Sequence, residues 1–420
     1  MGDRRPTVVN RDPPPERRPG RPPFFTPDGQ AADMDDVPDV DRDTGVLVVG
    51  AGLAGLALAG FCRQRGLRVD LIERVEAWDR VGYGIGLWGN GLRACEELGV
   101  DDAIRSAGRP VDRFEMRTPD GERLSATTFD PPPFVAVHRA DLHAALREAV
   151  PGEWIRMGTT VDRLVEGEDG VDVTLSDGTE RRYELVVGAD GVHSRVRDLA
   201  LSATAWRLED RPTVAWSFWT DREVPDATVD VWTPGAEAFV TRVDGRGLVN
   251  VGAAMDPDET PSGPAIGELE RVARRLGWEV PLLVAARAAE PFYDRSQEVH
   301  AERWASEGGR VLLVGDAAHA VHPISGQGAT LALEDAYALA GELARTPDRP
   351  DRAVEPFVDR RRGRVDRMQR DARFEERATF AESRLLGVVR NALVAHTPVL
   401  EWFVERQGAT DGATWPGGEP

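Results

Sequence analysis

The chain has 420 residues and a net charge of −20, with 72 acidic residues against 52 basic ones. This acidity excludes the basic face that nucleic-acid binding needs. Every basic residue is Arg, because the sequence contains no Lys, and this excludes a Lys nucleophile, a Schiff base and a P-loop amine.

Two further features of the composition concern the environment of the protein. Cys62 and Cys95 fall in helix-like stretches and form no disulfide framework, which fits packing roles and a reducing, cytoplasmic location. No run of about 18 apolar residues occurs, so we expect no membrane-spanning helix. The acidic, Lys-free composition is typical both of proteins from salt-adapted organisms and of a coding bias toward Arg.

Residues 1–43 predict a disordered tail that is rich in Pro and Arg. They contain nine prolines and show no apolar periodicity. No apolar segment follows Arg4 and Arg5, so we expect no export signal, and Met34 offers an alternative start of the chain.

From residue 45 the pattern predicts a β-α-β unit. Residues 46–49 form a short buried strand, an apolar helix ends at Gly66, and 68–74 form the next strand, so we expect a parallel sheet. The elements predicted next are a helix at 92–107, a hairpin at 114–129, a helix at 139–149 and a strand meander at 161–190.

Residues 204–299 differ, because short strands alternate with turn residues and four Trp residues occur between 206 and 232. We expect an antiparallel sheet with one helix at 266–276. The elements predicted after it are a buried strand at 310–315, a helix at 329–344, a helical chain from 353 and an amphipathic end at 384–406.

The glycine array Gly50, Gly52 and Gly55 follows the first strand and opens the first helix. These glycines permit a tight turn, close approach of a pyrophosphate, and close packing of helix on strand. The helix N-terminus offers unpaired N–H donors to phosphates. Glu73 ends the second strand, where it can accept from ribose hydroxyls and disfavours a 2′-phosphate, which indicates FAD or NAD rather than NADP.

A second array at 82–91, formed by Gly84, Gly86 and Gly89, lacks that context. No buried strand precedes it, and no strand with a terminal acid follows it, so it is weak evidence for a second dinucleotide turn. We expect a loop whose glycines allow close approach of a ligand ring or of another backbone segment.

Three more motifs complete the set: HRADLHAAL at 138–146, GADGVHSRVR at 188–197 and LLVGDAAHAVHPISGQGATLALEDA at 312–336. Together with the stretch from Gly50 to Glu73, this set resembles the class A FAD-dependent monooxygenases, the aromatic-hydroxylase-like flavoproteins. The resemblance runs from about residue 45 to about residue 370, and its motifs occur in the order that the family shows.

The resemblance implies a role for each matching residue. The first glycine array, Glu73 and Arg139 would bind the ADP half of FAD, and Asp316 would hydrogen-bond the ribityl chain. The helix N-terminus at 326–328 would face the flavin pyrimidine and stabilise negative charge there. The implied cofactor-binding residues are Gly50, Gly52, Ala54, Gly55, Glu73, Arg74, Arg139, Val161, Asp190, Gly315, Asp316, Gly326, Gln327, Gly328 and Ala329.

The resemblance also implies an α/β fold. In it, a Rossmann-like FAD-binding domain with a parallel sheet is interleaved with a mostly antiparallel-sheet substrate domain and followed by a C-terminal helical segment. The expected boundaries are 44–110, 137–203 and 300–370 for the FAD-binding domain, 111–136 and 204–299 for the substrate domain, and 371–420 for the helical segment.

In enzymes of this family NADH or NADPH docks transiently and reduces FAD, and O₂ then forms a flavin hydroperoxide that hydroxylates or epoxidises the substrate. The implied partners are O₂ and a small apolar aromatic or isoprenoid substrate, with no metal, for a monomer or homodimer. The alternatives are an FAD-dependent reductase of isoprenoid double bonds and a non-catalytic prenyl-lipid-binding relative. A halogenase of the tryptophan type is disfavoured, because it relies on a Lys.

The sequence departs from the family pattern at two places, Thr330 in place of a frequent Asn and WGNG at 88–91 in place of Pro-Asn-Ala. Both changes border the expected flavin pocket, for which Trp88, Trp216 and Pro323 are candidate lining residues. Asp190 is expected near the pyrophosphate and the nicotinamide approach, with Arg195 and Arg197 alongside.

Several other features have ordinary structural interpretations. His319 and His322 are expected to be structural rather than metal ligands, because no partner ligand lies within sequence reach. The Arg-rich run at 359–373 is interpreted as a solvated helix face. The amphipathic end at 384–406 is expected to dock on the protein's own core, with a peripheral membrane or partner contact as the alternative.

Overall fold

The computed structural model describes residues 45–78, 82–256, 260–261 and 263–408. The predicted disordered tail at 1–43, with Met34, lies outside the described residues, and so do residues 409–420 of the C-terminal segment. Among the described residues, no helix combines the length and the apolar character that crossing a membrane requires.

The strands of the described part of the chain belong to four sheets. In chain order they are β1 (Val46–Val49), β2 (Asp70–Ile72), β3 (Gly84–Trp88), β4 (Arg109–Val111), β5 (Arg113–Arg117), β6 (Arg123–Thr128), β7 (Phe134–His138), β8 (Ile155–Arg156), β9 (Val161–Glu166), β10 (Val171–Leu175), β11 (Glu180–Tyr183), β12 (Leu185–Gly188), β13 (Trp206–Thr220), β14 (Thr228–Thr233), β15 (Ala236–Val243), β16 (Arg246–Ala254), β17 (Phe292–Ala301) and β18 (Val311–Leu313).

The α-helices connect and cover these sheets. In chain order they are α1 (Leu53–Gln64), α2 (Gly89–Leu98), α3 (Asp101–Ala107), α4 (Arg139–Glu148), α5 (Arg195–Ala200), α6 (Ile266–Leu276), α7 (Val280–Ala285), α8 (Asp316–His319), α9 (Gly328–Arg345), α10 (Val354–Thr379), α11 (Arg384–His396) and α12 (Val399–Gly408).

The parallel sheet has the strand order β18-β12-β1-β2-β8, and every neighbouring pair in it is parallel. All residues of β1, β12 and β18 are buried, as expected for strands that helices cover on both faces. Helix α1 connects β1 to β2 and packs against α9. The predicted β-α-β unit and parallel sheet are therefore confirmed.

The largest sheet has seven strands in the order β17-β13-β16-β15-β14-β5-β6, and only the β14–β5 pair is parallel. One of its faces packs on α6 and α7 and forms an apolar cluster that includes Trp216 and Val249. The opposite face carries Thr213, Ser217 and Asn250, which line a large cavity. The antiparallel sheet is thus confirmed, although two helices, α6 and α7, occur between β16 and β17 where one was predicted.

The expectation of a loop at 82–91 is wrong, because β3 occupies 84–88 and α2 begins at 89. Strand β3 pairs antiparallel with β7, and β4 completes this small sheet. A Cβ on Gly84 would lie 2.0 Å from Leu248 Cδ2, and one on Gly86 would lie 3.3 Å from the Phe134 ring. The glycines therefore let a strand pack beneath apolar side chains.

Two further predictions concern helices, and the structure changes the first and agrees with the second. The helix expected over 92–107 is divided into α2 and α3, with Gly99 in a left-handed conformation at the end of α2. Cys62 and Cys95 are fully buried and unpaired in the main apolar core, and burial raises the pKa of each thiol to about 12. Both cysteines therefore have the packing role expected of them.

The C-terminal helices follow α10, which is 26 residues long. In α11, Gly387 and Val394 are buried, and Leu386, Val389 and Leu393 line the cavity. Leu385 and Val388 are 73% and 66% exposed. The amphipathic end thus docks on the protein as expected, while part of its apolar surface remains open.

Candidate functional site

One cavity of about 1060 Å³ extends from the glycine turn before α1 to helices α10 and α11. The N-terminal ends of α1 and α9 form part of its wall, through Gly52 and Ala54 on one side and Gly326, Gly328 and Ala329 on the other. The seven-stranded sheet and the C-terminal helices form the remaining wall. The cavity therefore joins the predicted cofactor residues to the predicted substrate part of the fold.

The three glycines of the first array have different surroundings. A Cβ on Gly50, whose φ is +103°, would lie 2.6 Å from the Ala189 carbonyl oxygen, and one on Gly55 would lie 1.9 Å from the Gly50 carbonyl oxygen. A Cβ on Gly52 would meet no atom within 4 Å, and Gly52 lines the cavity. Gly50 and Gly55 thus shape the turn, while Gly52 leaves room for a ligand.

Glu73, at the end of β2, stabilises the glycine turn through hydrogen bonds to main-chain N–H groups. Its Oε2 accepts a hydrogen bond of 2.8 Å from the Ala51 N–H, and its Oε1 accepts one of 3.1 Å from the Val75 N–H. On the other side of the turn, His143 Nε2 lies 3.0 Å from the Ala51 carbonyl oxygen. Burial lowers the pKa of His143. The sequence analysis missed His143, although it lies one helical turn after Arg139.

Arg139 begins α4 and lines the cavity. Its main-chain N–H donates a 2.9 Å hydrogen bond to the carbonyl oxygen of Tyr83, another cavity residue that the sequence analysis missed. Arg74 is exposed and Val161 is buried, and neither belongs to the described residues that line the cavity. The structure thus brings Arg139, but not these two side chains, to the cavity.

Asp316 starts α8 directly after β18 and lines the cavity. Burial raises the pKa of its carboxyl, while His319 and Arg139 lower it. The preceding residue, Gly315, has a φ of +57°, and its N–H donates a 2.9 Å hydrogen bond to Asp335 Oδ2. The turn before Asp316 is therefore stabilised by a hydrogen bond to the buried carboxylate of Asp335.

Helix α9 begins at the cavity without a capping side chain. Its N-cap residue, Gln327, is fully buried and directs its side-chain amide to Gln407 of α12, at 3.2 Å from both the carbonyl oxygen and Oε1. Gln327 does not line the cavity, whereas Gly326, Gly328 and Ala329 do. Like α1, α9 has no acidic residue in its first turn.

A buried network of ion pairs lies behind these turns. It shows that the expectation for the Arg-rich run at 359–373 is partly wrong. Arg361 donates to Asp335 and lies 2.7 Å from Glu334, which also accepts from Arg364 Nε and Asn90 Nδ2. Arg361 is fully buried and Arg364 is 4% exposed. The interpretation of 359–373 as a solvated helix face is wrong at these two positions, because that face of α10 packs on the acidic face of α9.

Asp190 and its neighbours bond to the protein itself. The Asp190 carboxylate accepts from Ser194 Oγ at 2.5 Å and from the Val196 N–H at 3.1 Å, so it stabilises the start of α5. Arg197 is buried and donates to two main-chain carbonyls, while Arg195 donates to the Val161 carbonyl. Of this motif, the residues that line the cavity are Ala189, Gly191, Val192 and His193.

Of the three residues predicted to line the flavin pocket, two line the cavity and one does not. Trp88 and Pro323 line the cavity, and the Trp88 ring packs 5.0 Å from the Phe134 ring. Trp216 is fully buried in the core beneath the opposite face of the seven-stranded sheet, where its indole N–H donates to the Pro264 carbonyl. Trp216 is therefore not brought to the cavity.

The two histidines of α8 and the following turn have protein partners. His319 Nε2 lies 2.7 Å from Asp335 Oδ2. His322 Nε2 lies 2.8 Å from Thr213 Oγ1 and 3.3 Å from Glu376. Both rings are buried, and these contacts fit the structural roles expected of them.

The donor groups around the cavity fit an elongated anionic ligand. Two uncapped helix N-termini end at one cavity and supply unpaired N–H groups with partial positive charge, and Arg139 adds a full positive charge. Gly52 leaves free space at the first of these helix ends. This arrangement fits FAD, the group that the resemblance implies.

Comparison with known proteins agrees with this fit. The family described as "FAD binding domain" matches residues 43–372. A 3-amino-4-hydroxybenzoate 2-monooxygenase of Streptomyces cremeus is 33% identical over 359 residues, which are 80% of this chain and 87% of that protein. A 2-heptyl-3-hydroxy-4(1H)-quinolone synthase of Pseudomonas aeruginosa is 30% identical over 366 residues, which are 84% and 94% of the two chains.

A solved structure is similar over most of its length. The crystal structure of a Klebsiella pneumoniae HpxO variant complexed with FAD has a TM-score of 0.76 and is 25% identical in sequence. The similarity covers 87% of this chain and 97% of that chain.

Proposed function

Because the chain belongs to the class A FAD-dependent monooxygenase family and is an FAD-dependent oxidoreductase, we propose that it hydroxylates an aromatic substrate with O₂ and NADH or NADPH. One oxygen atom would enter the substrate and the other would leave as water, while the nicotinamide cofactor gives up a hydride. The observation that carries this proposal is the single cavity that connects two uncapped helix ends to a wall of aromatic side chains.

FAD would lie between the two helix ends. In this proposal, Gly52 and Arg139 hold the pyrophosphate side and Asp316 holds the ribityl chain. The main-chain N–H groups of Gly328 and Ala329 face the flavin ring, because those of residues 326 and 327 already donate to the protein. Bound FAD supplies electron transfer and oxygen activation, and the protein orients the reactants and excludes water. The proposed boundaries of the FAD-binding and substrate domains stay a prediction.

The substrate class follows from the rest of the cavity wall. Trp88, Phe114, Phe134 and Phe239 line it, so an apolar ring would find aromatic partners there. The names of the two relatives denote a hydroxybenzoate and a quinolone, which are aromatic, and we extend that class to this chain. A non-catalytic prenyl-lipid-binding role is set aside by the family membership.

The test uses protein purified in high salt and loaded with FAD. The visible spectrum is recorded first, and the oxidation of NADH and NADPH is then followed with and without O₂ over a panel of phenols. Oxygen-dependent oxidation with a hydroxylated product, or with peroxide in uncoupled turnover, is the expected result. Oxidation that proceeds equally without O₂ would indicate the isoprenoid reductase, and a protein that cannot bind FAD would overturn the proposal.

A further inference from the structure

Three carboxyl groups meet on the cavity wall where the seven-stranded sheet faces α10 and α11. Asp230 comes from β14, Glu237 from β15 and Glu375 from α10, and all three line the cavity. We call these three residues the carboxyl cluster. Arg390 of α11 and the Trp232 ring line the same part of the wall.

The sheet register explains how two of these acids come together. Trp232 of β14 is paired directly with Glu237 of β15. Asp230 precedes Trp232 by two residues, so both side chains project from the same face of the sheet. That face is the cavity face, because both side chains line the cavity, whereas the alternating residues Val229 and Val231 are fully buried. Two acids and an indole thus stand side by side on one wall.

The cluster is short of positive charge. Arg390 is the cation that acts electrostatically on Asp230 and Glu237, but its guanidinium donates to the carbonyls of Ala378 and Thr379 at 3.3 and 2.9 Å and covers the Trp232 ring at 4.3 Å. Its other two hydrogen bonds, of 3.3 and 3.2 Å, go to Oδ1 of Asn391, so its donors serve the end of α10 and its own helix. Asp230 and Glu237 thus share one guanidinium whose donors are directed elsewhere, and Glu375 has only other acids acting on it.

The electrostatic consequence is a set of carboxyl groups that retain their protons to higher pH than ordinary acids do. Burial raises the pKa of Asp230 to about 7. Burial also raises the pKa of Glu237 and of Glu375 well above the ordinary value, and the Asp230 carboxyl raises both further. A bound cation would allow these groups to ionise.

Three polar atoms of this wall have no partner within the described structure. Asp230 Oδ1, Glu375 Oε2 and Trp232 Nε1 are shielded from solvent and make no hydrogen bond. Folded proteins rarely leave buried polar atoms unsatisfied, and such atoms at a cavity wall indicate a missing ligand. The Trp232 indole N–H acts on the Asp230 carboxyl and lowers its pKa, but it makes no hydrogen bond of ordinary geometry, so both oxygens still lack a full donor.

A metal ion does not fit this spacing. Among the described residues, only one group of three or more acids, histidines or cysteines has ligand atoms that all lie within 4.8 Å of one another. It consists of Glu209, Glu298 and His300, which are not part of this wall. An organic cation bridges a wider gap through several N–H donors, and it also suits the neighbouring aromatic rings.

We propose that the carboxyl cluster determines substrate specificity by binding a protonated amine carried by the aromatic substrate. This inference rests on the proposed function, because it names a feature of the substrate that the cavity takes. The ammonium group donates to the unsatisfied oxygens, and its charge replaces protons that leave Asp230 and its neighbours. An aromatic carboxylate is disfavoured, since it would bring a fourth acid to the same wall.

The experiment compares two phenols that differ only in the charge at the end of a two-carbon linker. Tyramine carries an ammonium group there, and 3-(4-hydroxyphenyl)propionate carries a carboxylate. Each is titrated calorimetrically into the FAD-loaded protein, in two buffers of different ionisation enthalpy. We expect tyramine to bind about tenfold more tightly or better, with protons released into the buffer.

Two variants and a control assign the effect to the cluster. Asp230→Asn and Glu375→Gln are each expected to lose most of the preference for tyramine. Both should keep or raise the melting temperature, because each replaces an acid whose ionisation is disfavoured in the folded protein with a neutral amide of the same shape, whereas a purely structural cluster would make both variants less stable. Glu115→Gln is the matched control, since Glu115 lines the cavity but is paired with Arg117 and Arg123.

The outcomes separate this inference from the proposed function. Equal or tighter binding of the propionate, binding of neither phenol, or a preference that survives in both variants would overturn the role of the cluster. Binding needs neither O₂ nor a nicotinamide cofactor. A protein that selects tyramine but oxidises no NADH or NADPH would therefore contradict the proposed function alone.

Discussion

The main-chain N–H of Trp88 donates a hydrogen bond of 3.3 Å to Oγ1 of Thr330, which lies 242 residues later in the chain. A Cβ on Gly91 would lie 3.0 Å from the same oxygen. These residues carry both departures from the family pattern, at 88–91 and at 330. The two departures from the family pattern therefore contact each other. This contact joins the end of β3 to the first turn of α9, beside the cavity.

Loss of this contact should be measurable as loss of stability. Thr330 is fully buried, so Thr330→Val keeps the shape but leaves the Trp88 N–H without an acceptor. We expect the free energy of unfolding to fall by about 1–3 kcal/mol in urea titrations. Thr330→Ser retains the hydroxyl and should restore the hydrogen bond, leaving only the smaller cost of the missing methyl group. Equal losses in the two variants would contradict this role of the oxygen.

The glycine turn offers a matched pair of substitutions. Gly55→Ala places a Cβ 1.9 Å from the Gly50 carbonyl oxygen, and we expect little or no folded protein from it. Gly52→Ala meets no protein atom within 4 Å, so it should fold with an unchanged melting temperature. Its methyl group would occupy ligand space, and we expect FAD affinity to fall by about tenfold in fluorescence titrations. Unchanged affinity would remove Gly52 from the proposed FAD site.

Asp316 and Asp190 are both carboxylates that follow a strand of the parallel sheet, but only Asp316 lines the cavity. Substituting each in turn therefore tests whether FAD binding depends on a carboxylate at the cavity wall. Asp316→Ala should weaken FAD retention, measured as the fraction of cofactor that remains after gel filtration. Asp190→Asn should lower stability through the start of α5 and leave FAD affinity nearly unchanged. Full occupancy in Asp316→Ala would rule out its assigned role.

The network behind the turns should make stability depend on acid pH. The pKa of Asp335 is about 2 against an ordinary value of 3.8, because the charges of His319 and Arg361 outweigh the effect of burial. The folded protein therefore binds fewer protons here than the unfolded chain does. The resulting stabilisation is present above about pH 4 and is lost as the pH falls through about 2.

Asp335→Asn tests that pH dependence. At neutral pH it breaks a fully buried pair, and we expect a cost of about 3–5 kcal/mol in the free energy of unfolding. Between about pH 4 and about pH 2 its stability should fall less steeply than that of the wild type. Asp172→Asn, which removes a solvent-exposed pair with Arg182, serves as the control and should change little. Parallel pH curves for Asp335→Asn and the wild type would contradict the assignment.

Local patterns were sufficient to predict the cofactor half of the fold. The turn at Gly50–Gly55 and the acid at Glu73 follow from a strand-turn-helix pattern whose physical requirements are contained in a few consecutive residues. The helix end at 326–328 follows in the same way. In each case the geometry that matters is set by neighbours in sequence.

The remaining features depend on contacts between distant segments. The Arg-rich stretch of α10 has the composition of a solvated face, and only its packing on Glu334 and Asp335 shows that Arg361 is buried. Likewise, Trp216 and Trp232 are both strand residues, and the face that each presents depends on sheet register and on which side α6 and α7 cover. Periodicity alone does not determine which side becomes the cavity.

The burial of both cysteines affects how the protein is expected to lose activity through oxidation. Peroxide released in uncoupled turnover attacks thiolates rather than thiols. Cys62 and Cys95 are the only cysteines of the chain, both are inaccessible, and burial raises the pKa of each to about 12. Oxidative self-inactivation should therefore begin elsewhere, at methionine or at the flavin itself, and added thiol reductants should not extend activity.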